Sequence, residues 1–436
     1  MVLDKLFGWS KKQEEEPQIH FGRYSDNNKT VYQVAEWTEA DLLFREKEYY
    51  KSIEKIFAYL TDPREENVIL ESNSDGFNFQ LYQGSKLVRG QINTSRFAAE
   101  VQLAKLDKPA VPVMRRLLEM NFNLYYSRYS LRDGIIYMKF DCDLSSASPN
   151  KVYYGLKELA TKADKQDDLL LDEFKSLSPI DHDHVIPLAD AEKEIKFRYL
   201  RQWIETSLHI VDSLDQEKFS GGISYLLLSL VFRIDYLTLP EGKLLQDLEK
   251  IASAYYGKED KTAPERNPLM IEGFKKLLGK TNEELALHFF RSRHSFAIVA
   301  PGAHKTVTDA VDTSLENMKW YRDNNYPEIA LKVMEYGFAY CQYSYSLPSP
   351  LSQLFKLFMN INYQDYFSDL GFRVKYYDES KNEFFRDDIE DAIMGVINSW
   401  TPKYPSLNFN TRELEYATQI DFNESFLKEI AQMDFD

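Results

Sequence analysis

The sequence predicts an α+β protein, in which an N-terminal antiparallel sheet with flanking helices precedes a larger, mainly helical domain. Three observations lead to this prediction. Between about residues 67 and 144, apolar and polar residues alternate with the two-residue period of β-strands. From residue 191 onward the apolar residues recur at helical spacing. Glycine is scarce, at 17 of 436 residues, which disfavours glycine-rich nucleotide-binding folds and favours helices.

Residues 1–37 are predicted to form an N-terminal arm, and residues 38–175 an α+β domain. The first helix of this domain is predicted to begin at Thr38, with Asp41 three residues on in a capping-box-like position. Apolar residues continue at helical spacing to about residue 60, where the turn-forming stretch TDPRE ends the helix.

Four strand-like segments follow this helix, with the sequences NVILES, GFNFQLYQ, LVRGQIN and SRFAAEVQLAKL. In the second of them Phe77 and Phe79 alternate with Asn78 and Gln80, which is typical of a strand with one buried face. A helix is then predicted to begin near Pro112, because proline is tolerated in the first turn of a helix.

A hairpin is predicted around Asp133-Gly134, since Asp-Gly is a strong signal for a two-residue turn. Its second strand, IIYMKFDCD, again alternates apolar with polar residues, and a further helix is predicted to open at Ser148-Pro149. The domain therefore has one apolar face of the sheet, which we expect the helices to cover, and one face in contact with water.

Residues 176–190 carry proline and charge and are predicted to form a linker, and residues 191–436 a mainly helical C-terminal domain. The stretch from Phe372 to Trp400 is predicted to contain a strand or hairpin before another helix. The other predicted helices of this domain are about 191–215, 220–237, 241–257, 267–279, 282–296, 304–324, 327–345 and 350–367.

The stretch VPVMRRLLEMNFNLYYSRYSLRDGIIYMKFDCDL, followed by NKVYYGLKELATKADKQDD, resembles the YbjN family and the wider type III secretion (Tir) chaperone-like fold. That family has a similar helix ending in an L-x-x-N-F-like turn, then a hairpin, then a helix with L-x-x-L-A-x-x-A-D spacing. The resemblance covers about residues 60–170 and includes no catalytic signature. It implies a small protein-binding domain, often dimeric, for which no enzymatic chemistry is established. The small chaperones end near the third helix, whereas this chain continues into a long helical region.

The net charge of −16 disfavours nucleic acid and anionic membrane surfaces as partners, because both are recognised by clustered Lys and Arg. Cys142 and Cys341 lie far apart and are predicted to be reduced core residues, which suits a cytoplasmic location. The N-terminus lacks the uninterrupted apolar stretch of a signal peptide. The longest apolar run, at 223–232, is too short to span a bilayer and is predicted to form a buried helix.

The sequence predicts no catalytic residues, no metal site and no cofactor. The stretch GFKKLLGKT has five residues between its glycines, at 274–278, where a phosphate-binding P-loop needs four. His182 and His184 would share one face of a strand as a possible metal pair, but spacing identifies no third ligand. His288 and His294 are six residues apart and would lie on different faces of a helix.

Five tyrosines are candidate partner-binding residues. Tyr336, Tyr340 and Tyr343 would form one stripe along a helix, which favours core packing and leaves an interface as the alternative. Tyr82 and Tyr137 would point away from the apolar face of the sheet, where we expect a partner to make contact.

The predicted function is non-enzymatic protein binding, in which the N-terminal domain holds a protein partner or its own second copy as a homodimer. Two alternatives follow from the same sequence. One is an enzyme or small-ligand binder whose site lies between the two domains, assembled from residues distant in the chain. The other is a structural scaffold in which both domains serve assembly.

Overall fold

A computed structural model of the chain confirms the α+β class, with a sheet in the first half and a larger helical region after it. The residues that the structure describes are 16–23, 28–62, 66–257, 261–294, 296 and 300–435. Residues 1–15 and 24–27 of the predicted N-terminal arm therefore lie outside the described part of the chain.

Two helices precede the sheet, α1 (Val31–Arg45) and α2 (Tyr49–Leu60). The sequence predicted one helix here, beginning at Thr38. Thr30 caps α1 instead, because its hydroxyl accepts from the Gln33 amide while the Gln33 side chain accepts from the Thr30 amide. Lys47 adopts a left-handed conformation, with φ of 68°, and separates the two helices. The prediction was wrong because the first turns of α1 are exposed and lack apolar spacing.

The sheet is antiparallel, and its six main strands lie in the order β1-β2-β3-β4-β6-β5. Asp133 and Gly134 both have positive φ, so the Asp-Gly hairpin between the last two strands is confirmed. The elements of this part are β1 (Val68–Asn73), β2 (Gly76–Gly84), β3 (Lys86–Asn93), β4 (Arg96–Leu106), α3 (Val111–Asn121), β5 (Arg128–Arg132), β6 (Ile135–Asp143), a 3-10 turn (Leu144–Ser146) and α4 (Pro149–Glu173).

Helices α2, α3 and α4 cover one face of the sheet and enclose the first hydrophobic core. Phe57, Phe79, Phe97 and Phe140 are fully buried there, and each ring contacts the next across the sheet. The opposite face, which we call the open face, has no helix over it among the described elements. The strand alternation predicted both faces correctly.

The predicted linker contains two strands, β7 (Leu177–Pro179) and β8 (Ile186–Pro187). β7 pairs with β4, so this part of the segment belongs to the sheet. Two short strands of the helical region also pair with strands from the first half of the chain. β9 (Phe290–Arg291) pairs with β8, and β10 (Arg293–His294) pairs with β2. The residues expected to end a helix at 282–296 are therefore largely extended.

The helical region surrounds a second hydrophobic core. Its helices are α5 (Asp190–Asp212), α6 (Ser220–Thr238), α7 (Gly242–Tyr256), α8 (Ala263–Leu278), α9 (Asn282–Ala286), α10 (His304–Asp323), α11 (Pro327–Ser344), α12 (Ser349–Asn362), α13 (Gln364–Asp369), α14 (Arg386–Trp400) and α15 (Gln419–Gln432). The predicted hairpin is present as β11 (Tyr377–Asp378) and β12 (Glu383–Phe384), and a 3-10 turn (Thr411–Glu413) precedes α15. The apolar run 223–232 lies in α6, which is buried along almost its whole length, as predicted. Within the described ranges, no helix combines the length and apolar character needed to cross a bilayer.

Candidate partner-binding face

The open face of the sheet is built from rows of side chains that run across the strands. One row passes from Gln80 on β2 through Arg89, Glu100 and Lys139 to Arg128 on β5. These residues are direct cross-strand neighbours, so their Cβ atoms lie about 5 Å apart. The alternation of each strand therefore brings charges from distant parts of the sequence into one line.

The neighbouring row of side chains contains a small residue between longer ones, which leaves a depression in the open face. Asn78, Gln91, Ala98 and Asp141 are cross-strand neighbours in this second row. The small Ala98 side chain lies between longer ones, and the twisted face holds a concavity of about 610 Å³ over it. This volume falls within the usual range for binding sites.

Positive charge predominates in the lining of this concavity, although the whole chain carries a net charge of −16. The lining contains five cationic residues against three carboxylates, Glu71, Glu100 and Asp141. The five cations are Arg89, Arg96, Arg128, Arg132 and Lys139. Arg89 is also paired with Asp181, a carboxylate outside the lining, so the concavity has a small local excess of positive charge on a negatively charged protein.

Two guanidinium groups share one carboxylate of β6 on the open face. Arg96 and Arg128 both form ion pairs with Asp141. Burial would raise the pKa of Asp141, but the hydrogen bonds from Arg128 and Arg96 outweigh burial and lower the pKa. Since each guanidinium has five N–H donors, one carboxylate leaves donors of both arginines for other acceptors.

A similar arrangement surrounds Glu100, which accepts from Arg132 at 3.0 Å and from Lys139 at 3.1 Å. Both cations also lie over the ring of Tyr137, at 4.4 and 5.1 Å from its centroid. Tyr137 is on the open face, as predicted, but only 5% of its surface is exposed. A partner would therefore contact the cations that cover the ring before it contacted the ring.

Tyr82 lies at the end of β2, away from Tyr137, and the structure does not bring the two predicted contact residues together. Its ring is 5.7 Å from that of His184, and it lines a separate cleft of about 540 Å³ between the sheet and the helical region. The alternation placed Tyr82 on the correct side of β2, but the segment after α4 contacts it there.

Tyr336, Tyr340 and Tyr343 form one stripe on α11, as predicted, and this stripe packs on α6. Their ring centroids lie 5.9, 6.3 and 4.5 Å from that of Phe232, which is buried. The Tyr336 hydroxyl also lies 3.0 Å from that of Tyr256. These contacts favour the core-packing interpretation of the stripe over its use as an interface.

A buried ionic cluster connects the sheet to α4. Lys86 and Asp167 have fully buried side chains and form an ion pair at 2.9 Å, and the Ser85 hydroxyl donates to the same carboxylate at 2.8 Å. Lys86 also donates to the carbonyl oxygens of Leu103 and Ile180. With one carboxylate and two carbonyl oxygens around the ammonium, the charge is compensated within the protein, as a buried charge requires.

Two further aspartates of α4 lie beside this cluster. Gly84 has a left-handed φ of 56°, and the Asp164 carboxylate occupies the space that a Cβ at this glycine would need. Burial raises the pKa of Asp164 well above its ordinary value. Burial, with the nearby charges of Asp167 and Glu241, raises the pKa of Asp168 to about 8.

The cleft between the sheet and the helical region also contains paired charges. Arg23 forms ion pairs with Asp235 at 2.9 Å and with Glu241 at 3.0 Å. Glu192 in the same cleft is bound by Lys196 and Arg291. Except for the i,i+4 pair of Lys196 and Glu192 within α5, these ion pairs join residues far apart in the chain, and each cation is neutralised by a carboxylate of the protein itself.

The predicted histidine pair does not form a metal centre. His182 lies 3.3 Å from the Lys86 ammonium, which repels a cation, while His184 lies against Tyr82. Burial lowers the pKa of both imidazoles. Among the residues described, no group of three or more His, Cys, Asp and Glu side chains could hold a metal ion. Cys142 and Cys341 are both free and buried.

Sequence reasoning found the open face but missed its charges. The same alternation that identified Phe77 and Phe79 as buried places Arg89, Glu100 and Lys139 on the other face, whereas their cross-strand register comes from the structure. No local pattern could have found the pairs of Lys86 or Arg23, since their partners are distant in sequence. The chain matches no protein-family model, and no curated protein matches it. The resemblance to the YbjN family stays a prediction.

Proposed function

We propose that this is a non-enzymatic protein-binding protein, and that the open face of its N-terminal sheet holds an extended acidic segment of a partner protein. The observation that carries the proposal is the positively charged concavity of about 610 Å³ on a chain of net charge −16. Complementary charge directs association and selects partners.

In the ion pairs of the open face, a carboxylate of a partner can replace a carboxylate of the protein. The side chains of Arg96, Arg128 and Arg132 are about half exposed, so water screens their attraction to Asp141 and Glu100. A partner carboxylate could join such a pair, or replace one of its members, at little cost. The buried cluster around Lys86 has no such freedom, because solvent does not reach it.

The size of the face fits an extended segment. Six strands at a spacing of about 4.8 Å make a face ~24 Å wide, which about eight extended residues would cross at ~3.3 Å per residue. Alternate side chains of such a segment would face the sheet, so acidic residues at every second position would face the cations of the concavity, among them Arg96, Arg128 and Arg132.

A second copy of this chain is a less favourable occupant than an acidic segment of another protein. Two chains of net charge −16 repel each other at long range. Light scattering on the purified protein tests this directly. A stable dimer that Arg96→Glu together with Arg128→Glu dissociates would replace the partner proposal with self-association.

The proposal is tested with a labelled oligoglutamate peptide of about eight residues, which crosses the face when extended. We expect saturable binding to the full chain that weakens as salt rises, because partly exposed charges are screened. Arg96→Glu together with Arg128→Glu should weaken binding at least about tenfold. An oligolysine peptide of the same length should not bind the face.

The matched control is the pair Lys276→Glu and Lys305→Glu, which makes the same change in net charge at exposed helix positions far from the sheet. Equal loss of binding in both double variants would mean that only total charge matters. No binding of the oligoglutamate peptide to the unmodified protein would contradict the proposal.

One observation favours the alternative of a small-ligand site between the domains. The Nε2 atom of His184 is buried in the wall of the cleft and has no hydrogen-bond partner among the described residues. Native mass spectrometry of the purified protein tests it. A small molecule retained at one per chain, and lost in His184→Ala, would favour this function.

A further inference from the structure

Two aromatic side chains next to the edge strand of the sheet are almost fully exposed to solvent. Phe122 is 91% exposed and Tyr125 is 93% exposed, in the short connection between α3 and β5. Large rings normally bury most of their surface in cores or interfaces. The stability of the fold does not explain why two neighbouring aromatic rings are exposed, and exposed apolar patches of this kind often mark binding surfaces.

The backbone that carries these rings is held in place by Glu158 of α4. Its carboxylate accepts from the backbone amides of Tyr125 at 2.7 Å, Tyr126 at 2.9 Å and Ser127 at 2.7 Å. Hydrogen bonds to a carboxylate are stronger than those to a neutral acceptor. The aromatic rings are therefore presented on an ordered backbone, which lowers the entropy that a binding partner must overcome.

Helix α3 extends this apolar surface. Val111 and Leu118 are 75% and 63% exposed, and with Phe122 they lie at spacings of seven and four residues, which is one side of a helix. The other side of α3 is buried, through Val113 and Leu117. We call the exposed surface of Leu118, Phe122 and Tyr125 the aromatic edge.

The aromatic edge lies on the helix-covered side of the sheet, next to the edge strand β5, whose Arg128 belongs to the open face. Tyr125 precedes Arg128 by three residues, so their Cα atoms lie within ~11 Å even if the chain between them is extended. Arg128 binds Asp141 in the concavity. A bound chain that passes around the edge strand β5 can therefore contact both surfaces.

We propose that the partner segment has two parts, an acidic stretch that lies on the open face and an apolar or aromatic anchor that packs on Phe122 and Tyr125. This inference rests on the proposed function and specifies the chemistry of its partner. The cationic face would select the acidic stretch, and the aromatic edge would add affinity, since aromatic residues are enriched among the side chains that contribute most to binding.

The test compares two labelled peptides on the full-length chain. One is the oligoglutamate of about eight residues that crosses the face, and the other adds Leu-Trp-Leu to either end of it. We expect the anchored peptide, in one of its two orientations, to bind about tenfold more tightly than the acidic peptide. Phe122→Ser together with Tyr125→Ser should abolish this gain and leave binding of the acidic peptide unchanged.

The control is Leu269→Ser together with Leu287→Ser, which removes two exposed apolar side chains from the helical region. In this control variant the anchored peptide should still bind about tenfold more tightly than the acidic peptide. Both double variants change exposed residues, so thermal unfolding should show that both are folded.

The two proposals fail in different ways in this experiment. If the acidic peptide binds but neither anchored peptide binds more tightly, or the gain survives in Phe122→Ser with Tyr125→Ser, the aromatic edge is not part of the site. If the acidic peptide does not bind, the proposed function is contradicted. An anchored peptide that still bound through Phe122 and Tyr125 would then contradict the two-part segment.

Discussion

The open face and the buried cluster at Lys86 contain the same kinds of residues and use them in opposite ways. On the open face, Arg96 and Arg128 share Asp141 in contact with water. In the cluster, Lys86 and Asp167 are enclosed completely and hold four segments of the chain together through Ser85, Leu103 and Ile180. Access to solvent therefore decides whether an ion pair can exchange with a ligand or only maintain the fold.

The largest effect is expected from breaking the buried pair. Lys86→Met leaves the Asp167 carboxylate buried without its cation, and should lower the free energy of unfolding by about 3–5 kcal/mol. Chemical denaturation measures the change. Lys139→Met, on the open face, is the matched control and should cost less than about 1 kcal/mol.

The double variant Lys86→Met with Asp167→Leu sharpens this comparison, because it removes both charges. It should be more stable than Lys86→Met alone, since no isolated charge remains buried. Equal losses for Lys86→Met and Lys139→Met would show that burial does not separate the two regions.

Glu158 is intermediate between the two regions, since it is partly buried and binds backbone amides rather than a cation. Glu158→Ala should cost about 2 kcal/mol, because several hydrogen bonds to a charged acceptor are lost. Amide hydrogen exchange at residues 125–127 should accelerate, whereas exchange in β2 should not. Unchanged exchange at 125–127 would mean that Glu158 does not order the aromatic edge.

The acidic residues near the buried cluster predict a dependence of stability on pH. Burial raises the pKa of Asp168 to about 8, and the negative charges of Asp167 and Glu241 contribute to the rise. The positive charge of Lys86 acts in the opposite direction and lowers this pKa. The folded state therefore binds a proton that the unfolded state releases near pH 4, so this stability is present below about pH 4 and is lost as pH rises towards 8.

Asp168→Asn should flatten the fall in unfolding free energy between about pH 4 and pH 8. Asp172→Asn, at an exposed aspartate one turn further along α4, is the matched control. Denaturation curves across this pH range measure both variants. A slope that Asp168→Asn leaves unchanged would assign the pH dependence to other groups, such as Asp164.

The smallest effect on stability is expected on the open face itself. Arg96→Gln together with Arg128→Gln should change the unfolding free energy by no more than about 1 kcal/mol, because both ion pairs are screened. The same variant should nevertheless bind the oligoglutamate peptide weakly. A large loss of stability would show that these arginines maintain the fold and are not free to exchange.

Local patterns predicted most of the sheet domain. The Asp133-Gly134 turn, the buried faces of the strands and the helices after Pro112 and Ser148 depend on neighbouring residues, so the sequence is enough to place them. The start of the first helix was wrong because the Thr30 cap precedes a turn without apolar spacing. The helix predicted at 282–296 was largely wrong because residues 290–294 pair with β8 and β2, and pairing partners distant in sequence override local preference.

By itself, the sequence determined the α+β class, the two faces of the sheet, the buried α6 and the tyrosine stripe of α11, because periodicity records which side of an element is apolar. Only the tertiary structure decided which charges meet. Lys86 forms an ion pair with Asp167, and Arg23 forms one with Asp235, which is 212 residues away in the sequence. Ion pairs of this kind leave no periodic signal, since each depends on where two distant segments pack and on how much water they exclude. For the same reason the exposure of Phe122 and Tyr125 became evident only when α3, β5 and α4 were placed together.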